Sequence, residues 1–338
     1  MKSRAITSVL AAAAGLLAGA LVILLTGGDP IAAYTALAYG AMGSGYGWSE
    51  VAVKSCPLIV TGLAVALAFR AGLWNIGVEG QLVGGAVLAV FFATRTPHLP
   101  SIIGVPATLL AAATGGALIA GIAAILKLER GVDEVISTIM LNFIVLGVVG
   151  YLVHGPLMES SGNYPQSDAL PTFARLPRLF SGYRVHVGLA GALALVPATA
   201  FVLYRTRFGY VIRATGSNPI ATKIAGFAVD RCILATFVAS GALAGLAGGM
   251  EVASVTYRMY DNFSPGYGYT AIAVAILGRL DPWGVLAAAL MFGVLEAGSA
   301  SMQRVAGVSA VLVSLIQACV IFALAAFEYQ RASDRGGP

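Results

Sequence analysis

Charge is scarce in this chain of 338 residues: Asp, Glu, Lys and Arg make up 10% of it, against 58% hydrophobic residues and a mean hydropathy of +0.86. A soluble domain carries roughly 25% charged residues. A chain with so few has too little polar surface to face water on all sides. Cysteine is scarce too. Cys56, Cys232 and Cys319 lie inside or beside apolar runs and form no C-x-x-C pair, so they define neither a disulfide framework nor a metal site. The three histidines, His98, His154 and His186, are followed by Leu, Gly and Val, which excludes an H-E-x-x-H zinc motif. None of the four lysines follows a glycine, so no G-x-x-x-x-G-K-[ST] phosphate loop exists. If ATP drives this protein, another chain must hydrolyse it. The apolar runs hold hydroxyls but no histidine to activate them, which argues against a hydrolase. The composition points to a non-enzymatic chain without cofactor or metal.

What is present is apolar length. Repeated runs of about 20 residues match the thickness of a bilayer crossed as helix. The fold class is all-α, a polytopic membrane helix bundle forming one transmembrane domain over 1–338. Ten spans are expected at 5–27, 51–70, 74–94, 101–126, 133–153, 187–204, 232–254, 267–278, 283–302 and 305–328. The first run is too long for the core of a cleaved signal. The eighth, "GYGYTAIAVAIL", is too short to cross about 30 Å of hydrocarbon at 1.5 Å per residue, and reads as a half-helix or a tilted one. An even count puts both termini on one side. Thirteen of the twenty Lys and Arg then fall in segments on that side, which makes it cytoplasmic. The net charge of +5 therefore reflects topology rather than a nucleic-acid partner. Two loops are long: 154–186 outside and 205–231 inside.

The inside loop contains "RATGSNPIATKIAGF", residues 213–227. Asn218 suits an N-cap, and Pro219 suits the first helical position, where a missing N–H costs nothing. Gly226 supplies the left-handed residue that ends many helices. The stretch thus spells a two-turn helix with Ala221 and Ala225 on one small face. A plain surface turn between two spans is the alternative. The segment resembles the coupling loop of ABC importer permeases, E-A-A, three residues, then G. Here "IATKIAG" keeps Ala221 and Gly226, while Ile220 and Thr222 replace the Glu and the second Ala. "FRAGLWNIGVEGQLVGG" (69–85), "GVDEVISTIMLNFI" (131–144) and "TAIAVAILGRLDPWGVLAAALMFG" (270–293) resemble the branch of such permeases that serves branched-chain amino acids, simple sugars and nucleosides. The first two, with the long loop after the second, are most similar to nucleoside-type members.

This resemblance covers residues 50 to 328. It implies a bacterial inner-membrane importer with a second permease subunit, related or identical, two cytoplasmic ATPase subunits and an extracytoplasmic substrate-binding lipoprotein. It also implies that Arg213, Gly216, Asn218, Pro219, Ala221, Lys223, Ala225 and Gly226 belong to the ATPase-coupling loop.

Inside the spans, Asn75, Glu79, Gln81, Asn142, Glu251, Glu296 and Gln317 are the polar side chains that stand out. Asn75 and Glu79, four apart, are expected on one helix face at the cytoplasmic start of the third span, with Arg70 as a candidate partner. They form either a helix-end network or part of a translocation path. Gly241, Gly245 and Gly249 repeat at the spacing that lets membrane helices approach closely, as do Gly80 and Gly84. Tyr257, Tyr260, Phe263, Tyr267 and Tyr269 suggest an aromatic belt at the outer surface, or an outer gate. The expected function is import of nucleosides by alternating access. A simple sugar such as a pentose is the alternative solute. An ion-coupled carrier using Glu79, Glu251 and Glu296 is the rival mechanism, and a channel lacks an evident filter.

Overall fold

Away from water, a backbone can satisfy its own polar groups within a single segment only as a helix. The computed structural model follows that rule. It describes residues 2–96 and 99–309, and beyond them 311–312, 314–316, 318–319 and 322–323; for residues 2–12 it describes the backbone. Twelve α-helices are described: α1 (Lys2–Leu25), α2 (Pro30–Met42), α3 (Gly45–Arg70), α4 (Val78–Arg95), α5 (Ser101–Arg130), α6 (Glu134–Val153), α7 (Val187–Arg205), α8 (Arg207–Ser217), α9 (Pro219–Ile224), α10 (Val229–Glu251), α11 (Tyr267–Leu277) and α12 (Pro282–Ala306). A π-helical stretch, Val252–Thr256, extends α10.

Seven helices are long and apolar enough to cross a membrane: α3, α4, α5, α6, α7, α10 with its π extension, and α12. Ala13–Leu25 and Tyr267–Leu277 are shorter apolar helices. The sequence predicts ten spans, and the described residues provide seven of full length. Ten of the 24 residues of the tenth, 305–328, lie outside the described residues, Gln317 among them. Helix α2 has no counterpart in the sequence reading. Asp29 caps it, accepting from the Ile31 and Ala32 amides, and Pro30 opens it. The short eighth run is α11, eleven residues long.

Helix α3 is the axis of the bundle and is buried along most of its length. Its Arg70 end shares one end of the molecule with Lys127, Arg205 and α8–α9; this is the basic end. The opposite end carries the 154–186 loop. Helices α5 and α10 run antiparallel with their backbones almost touching. A Cβ placed on Gly245 would lie 2.8 Å from Gly116 N and 3.0 Å from Gly116 Cα. Gly241 faces Gly116 and Ala120 in the same seam, and Gly249 faces Ala112. Gly80 and Gly84 lie elsewhere, against Asn142 and Ile119 of two different helices.

The 154–186 loop folds back onto the bundle. Its Leu170, Phe173, Ala174 and Leu176 join the core. The Leu170 and Leu176 amides donate to Tyr257 O and Ala253 O, both at 2.8 Å. Glu159 ties the loop to the segment after α10, with Arg258 Nη1 2.8 Å from its Oε2. Hydrogen bonds from Ser161, then Gln166, hold the Glu159 carboxyl below its ordinary range. At the loop's far end, burial and then the Arg184 charge push the His186 imidazole down to about 4.

Candidate functional site

A polar layer lies inside the bundle near the basic end. The sequence predicts one helix face for Asn75 and Glu79, but Asn75 precedes α4. Its Oδ1 accepts from the Gly77 amide at 3.1 Å, a local turn that delays the helix to Val78. Asn75 and Gln81 then pair amide to amide at 2.9 Å in both directions. Asn75 Nδ2 also donates to Ser240 Oγ at 3.0 Å, and Ser240 Oγ donates to Ala64 O at 2.7 Å. Ala64 is six residues before the end of α3, about 9 Å up a helix. Helix α4 therefore starts beside the interior of α3 rather than beside its end.

Glu79 is buried in the first turn of α4, and its partner is not Arg70. The Gly268 amide donates to Glu79 Oε2 at 2.6 Å, and the Ser264 hydroxyl and Tyr269 amide donate to the same carboxylate. Ser264 Oγ in turn accepts from the Gly266 and Tyr267 amides at 3.2 Å. Glu79 thus caps α11 from outside, filling the role that an N-cap side chain fills from within. Gly268 permits this approach, because a Cβ there would lie 2.5 Å from Glu79 Cα. Asn142 completes the layer by accepting from the Gly80 amide at 2.8 Å and donating to Ile76 O at 3.0 Å.

Arg70 does a parallel job at the other end of α11. Its Nε donates to Leu280 O at 3.0 Å, and its Nη2 lies 3.4 Å from both Arg279 O and the Tyr204 hydroxyl. Arg279 and Leu280 are left-handed, with φ of 57° and 55°, which is strained for non-glycine residues. Helix α11 is held at both ends. Replacing Glu79 with alanine is expected to cut assembled protein several-fold, since each buried unsatisfied polar group costs about 1–3 kcal/mol. Membrane abundance and complex yield, measured beside solute ranking, check this. Normal assembly with an altered solute ranking would assign Glu79 to recognition instead.

Glu251 and Glu296 do not join this layer. They lie toward the loop end with Lys54, which its sequence context did not mark, and with Tyr267 of the expected aromatic belt. Tyr267 and Phe263 are buried, so the expected aromatic belt is only partly superficial: Tyr260 and Tyr269 are exposed.

At the basic end, α9 is a two-turn helix. The Asn218 side chain accepts from the Ala221 amide at 2.9 Å, Pro219 opens the helix, and Gly226 leaves it at φ +86°. Thr222 is buried, whereas Ala221, Lys223 and Ala225 are exposed. The strongest surface signal is one the sequence reading passed over. Ile220 and Ile224 are 72% and 83% exposed, and beside them the Phe227 ring packs at a tilt against the exposed Tyr210, centroids 5.8 Å apart. Gly216 presses α8 onto the end of α3, since a Cβ there would lie 2.9 Å from the Arg70 carbonyl carbon. Arg213 lies over the Tyr204 ring at 5.5 Å. Tyr204 donates to Asp281 at 2.7 Å, which links α8 to the α11–α12 turn.

Residues 47–325 match the family described as the permease component of branched-chain amino acid transport systems. The chain is 38% identical over 335 residues to a glucose ABC transporter permease of Haloferax volcanii, covering 96% of this chain and 87% of the relative. It is 37% identical over 315 residues to a guanosine ABC transporter permease of Bacillus subtilis, covering 92% and 90%. To a nucleoside ABC transporter permease of Lactococcus lactis it is 32% identical over 326 residues, covering 92% and 88%. No solved structure matches the chain. With seven membrane-length helices and a family match over most of its length, the chain is a multi-pass membrane protein and belongs to the branched-chain amino acid, sugar and nucleoside branch of ABC importer permeases.

Proposed function

We propose that this chain carries nucleosides inward by alternating access, with the energy supplied by ATPase subunits seated on α8–α9. The observation that carries the coupling reading is the ridge of Ile220, Ile224 and Phe227 on a capped two-turn helix. Such residues gain nothing from exposure to water, and a cleft on a partner would bury them. Helix α8, through Arg213, Tyr204 and Asp281, then passes a push to the α11–α12 turn. The basic end is cytoplasmic by the distribution of Lys and Arg, as are both termini. The 154–186 loop, fastened to the core, is the platform for an extracytoplasmic binding lipoprotein, and a second permease completes the pair.

Similarity to the guanosine and nucleoside permeases supports the solute assignment. A sugar is the second reading, supported by the similarity to a glucose permease. In vesicles of the assembled transporter, nucleoside uptake is expected to require ATP and to persist after the proton and sodium gradients are collapsed. Excess unlabelled uridine should compete with guanosine, and glucose should not. Uptake that stops with an ionophore while ATP remains would rule out ATP drive, and competition by glucose alone would transfer the assignment to sugars.

A further inference from the structure

Four side chains that the Glu79 layer does not use come from four helices to one region nearer the loop end. They are Lys54 of α3, Glu251 at the end of α10, Tyr267 at the start of α11 and Glu296 of α12. Lys54 Nζ lies 6.0 Å from the centre of the Tyr267 ring. Glu251 lies within electrostatic range of Lys54, and Tyr267 within range of both Glu251 and Glu296. Between this region and the loop end, Arg184 closes on Glu50 at 3.0 Å.

Among the described residues these side chains come near one another without forming a hydrogen bond or an ion pair. Glu251 is only 7% exposed, yet among the described residues its carboxylate accepts no hydrogen bond and forms no ion pair. The Tyr267 hydroxyl, on a side chain just as buried, has no hydrogen-bond partner among them either. Neither belongs to the polar atoms that are both unpartnered and sealed, which include Ser55 Oγ and Thr256 Oγ1. Some of their polar surface is therefore accessible although the side chains are buried. Ser55 adjoins Lys54 in sequence, and Thr256 ends the π-helical stretch that begins just after Glu251. A π-turn inside a helix often marks a functional position. A buried carboxylate held apart from the half-buried Lys54 ammonium is costly unless a third body bridges them.

We propose that Lys54, Glu251, Tyr267 and Glu296 form the chamber in which the solute is held midway through the bundle. The inference rests on the importer reading and specifies its recognition chemistry. Two carboxylates accept from paired donors, such as vicinal ribose hydroxyls or the N–H edge of a base. The ammonium donates to a ring nitrogen or carbonyl, and the tyrosine offers a flat face. Two acidic groups against one basic group disfavour an anion, so a phosphorylated nucleotide is excluded while a neutral nucleoside is admitted.

Equilibrium binding of radiolabelled guanosine to the purified transporter without ATP tests this directly. Glu251→Gln and Lys54→Met are each expected to weaken binding at least tenfold, and Tyr267→Phe severalfold. Guanosine monophosphate should fail to compete in the wild type and should gain as a competitor in Glu251→Gln. Three variants guard against one that fails to assemble, and elution with the intact complex verifies each. Wild-type affinity in all three, or no saturable guanosine binding by the wild type, overturns the chamber. Uptake that proves independent of ATP overturns the importer reading instead, and the binding result stands or falls separately.

Discussion

Replacing Gly245 with valine is expected to abolish accumulation of the protein in the membrane. The first atom of any side chain at this position meets backbone: Gly116 N at 2.8 Å and Gly116 Cα at 3.0 Å, besides Ala112 O. A side chain can turn away from an intruder, whereas a helix backbone can only retreat. Overpacking costs about 1–3 kcal/mol even where side chains can adjust, and more where they cannot. Membrane helices have no hydrophobic force between them to offset the loss, because lipid solvates the separated faces as well as protein does. The α5–α10 seam is also the surface against which α4 packs, through Gly85 on Gly245 and Gly248 on Leu82. Membrane abundance and the elution profile in mild detergent are the measurements. Gly147→Val, at a position with nothing within 4 Å, should accumulate near the wild-type level. Equal accumulation of the Gly245 variant would mean that the two helices are not packed at this distance.

Substitutions at the exposed ridge of α9 are expected to leave insertion intact and remove coupling. Ala221→Arg would overfill a fitted contact, and Ile224→Asp would place a charge where the partner offers an apolar cleft. A loss of about 2–3 kcal/mol at that contact lowers affinity by about 30- to 150-fold. ATPase pulled down with the permease and solute-stimulated ATP hydrolysis should both fall below a tenth of wild type. Gly226→Val should act similarly, since a β-branched residue is strained at φ +86°. Glu129→Gln, exposed at the same end, serves as the control. Normal transport by Ala221→Arg with its ATPase fully bound would reduce α9 to a connector.

How far the sequence foretells this arrangement depends on the range of each interaction. The α9 cap is local: Asn218, Pro219 and Gly226 act within nine residues, and their geometry follows from their types. Helices signalled by long apolar runs are legible for the same reason. Glu79 is different. Its partner Gly268 is 189 positions away, and nothing near Glu79 announces a helix that begins there. The nearest cation in sequence, Arg70, is the natural guess, but Arg70 is committed to carbonyls 209 and 210 positions away. Helix α2 escaped notice because thirteen residues are too few for a span. Ile220 and Ile224 escaped because isoleucine in a greasy chain carries no information until its exposure is known. Tyr267 reads as part of an interfacial aromatic belt for the same reason, since its burial is not visible in the sequence.

One carboxylate serves two helices in this bundle. Glu79 sits in the first turn of α4 and receives amides from the first turn of α11. Each helix start carries the equivalent of about half a positive charge, so two starts facing one negative group sum to roughly zero. A lone ionic group fixed in an apolar layer would feel the membrane voltage, at about 2.3 kcal/mol per elementary charge moved across 100 mV. Here the neutralising charge is peptide backbone, built into the same two helices. The compensation is local, because each helix carries the opposite partial charge at its far end, so a rigid shift of α4 and α11 would still carry the full charge of an ionised Glu79. Two helix starts thus do for this carboxylate what a cation would otherwise do, and pulling either one away would leave it unsatisfied in the interior of the bundle.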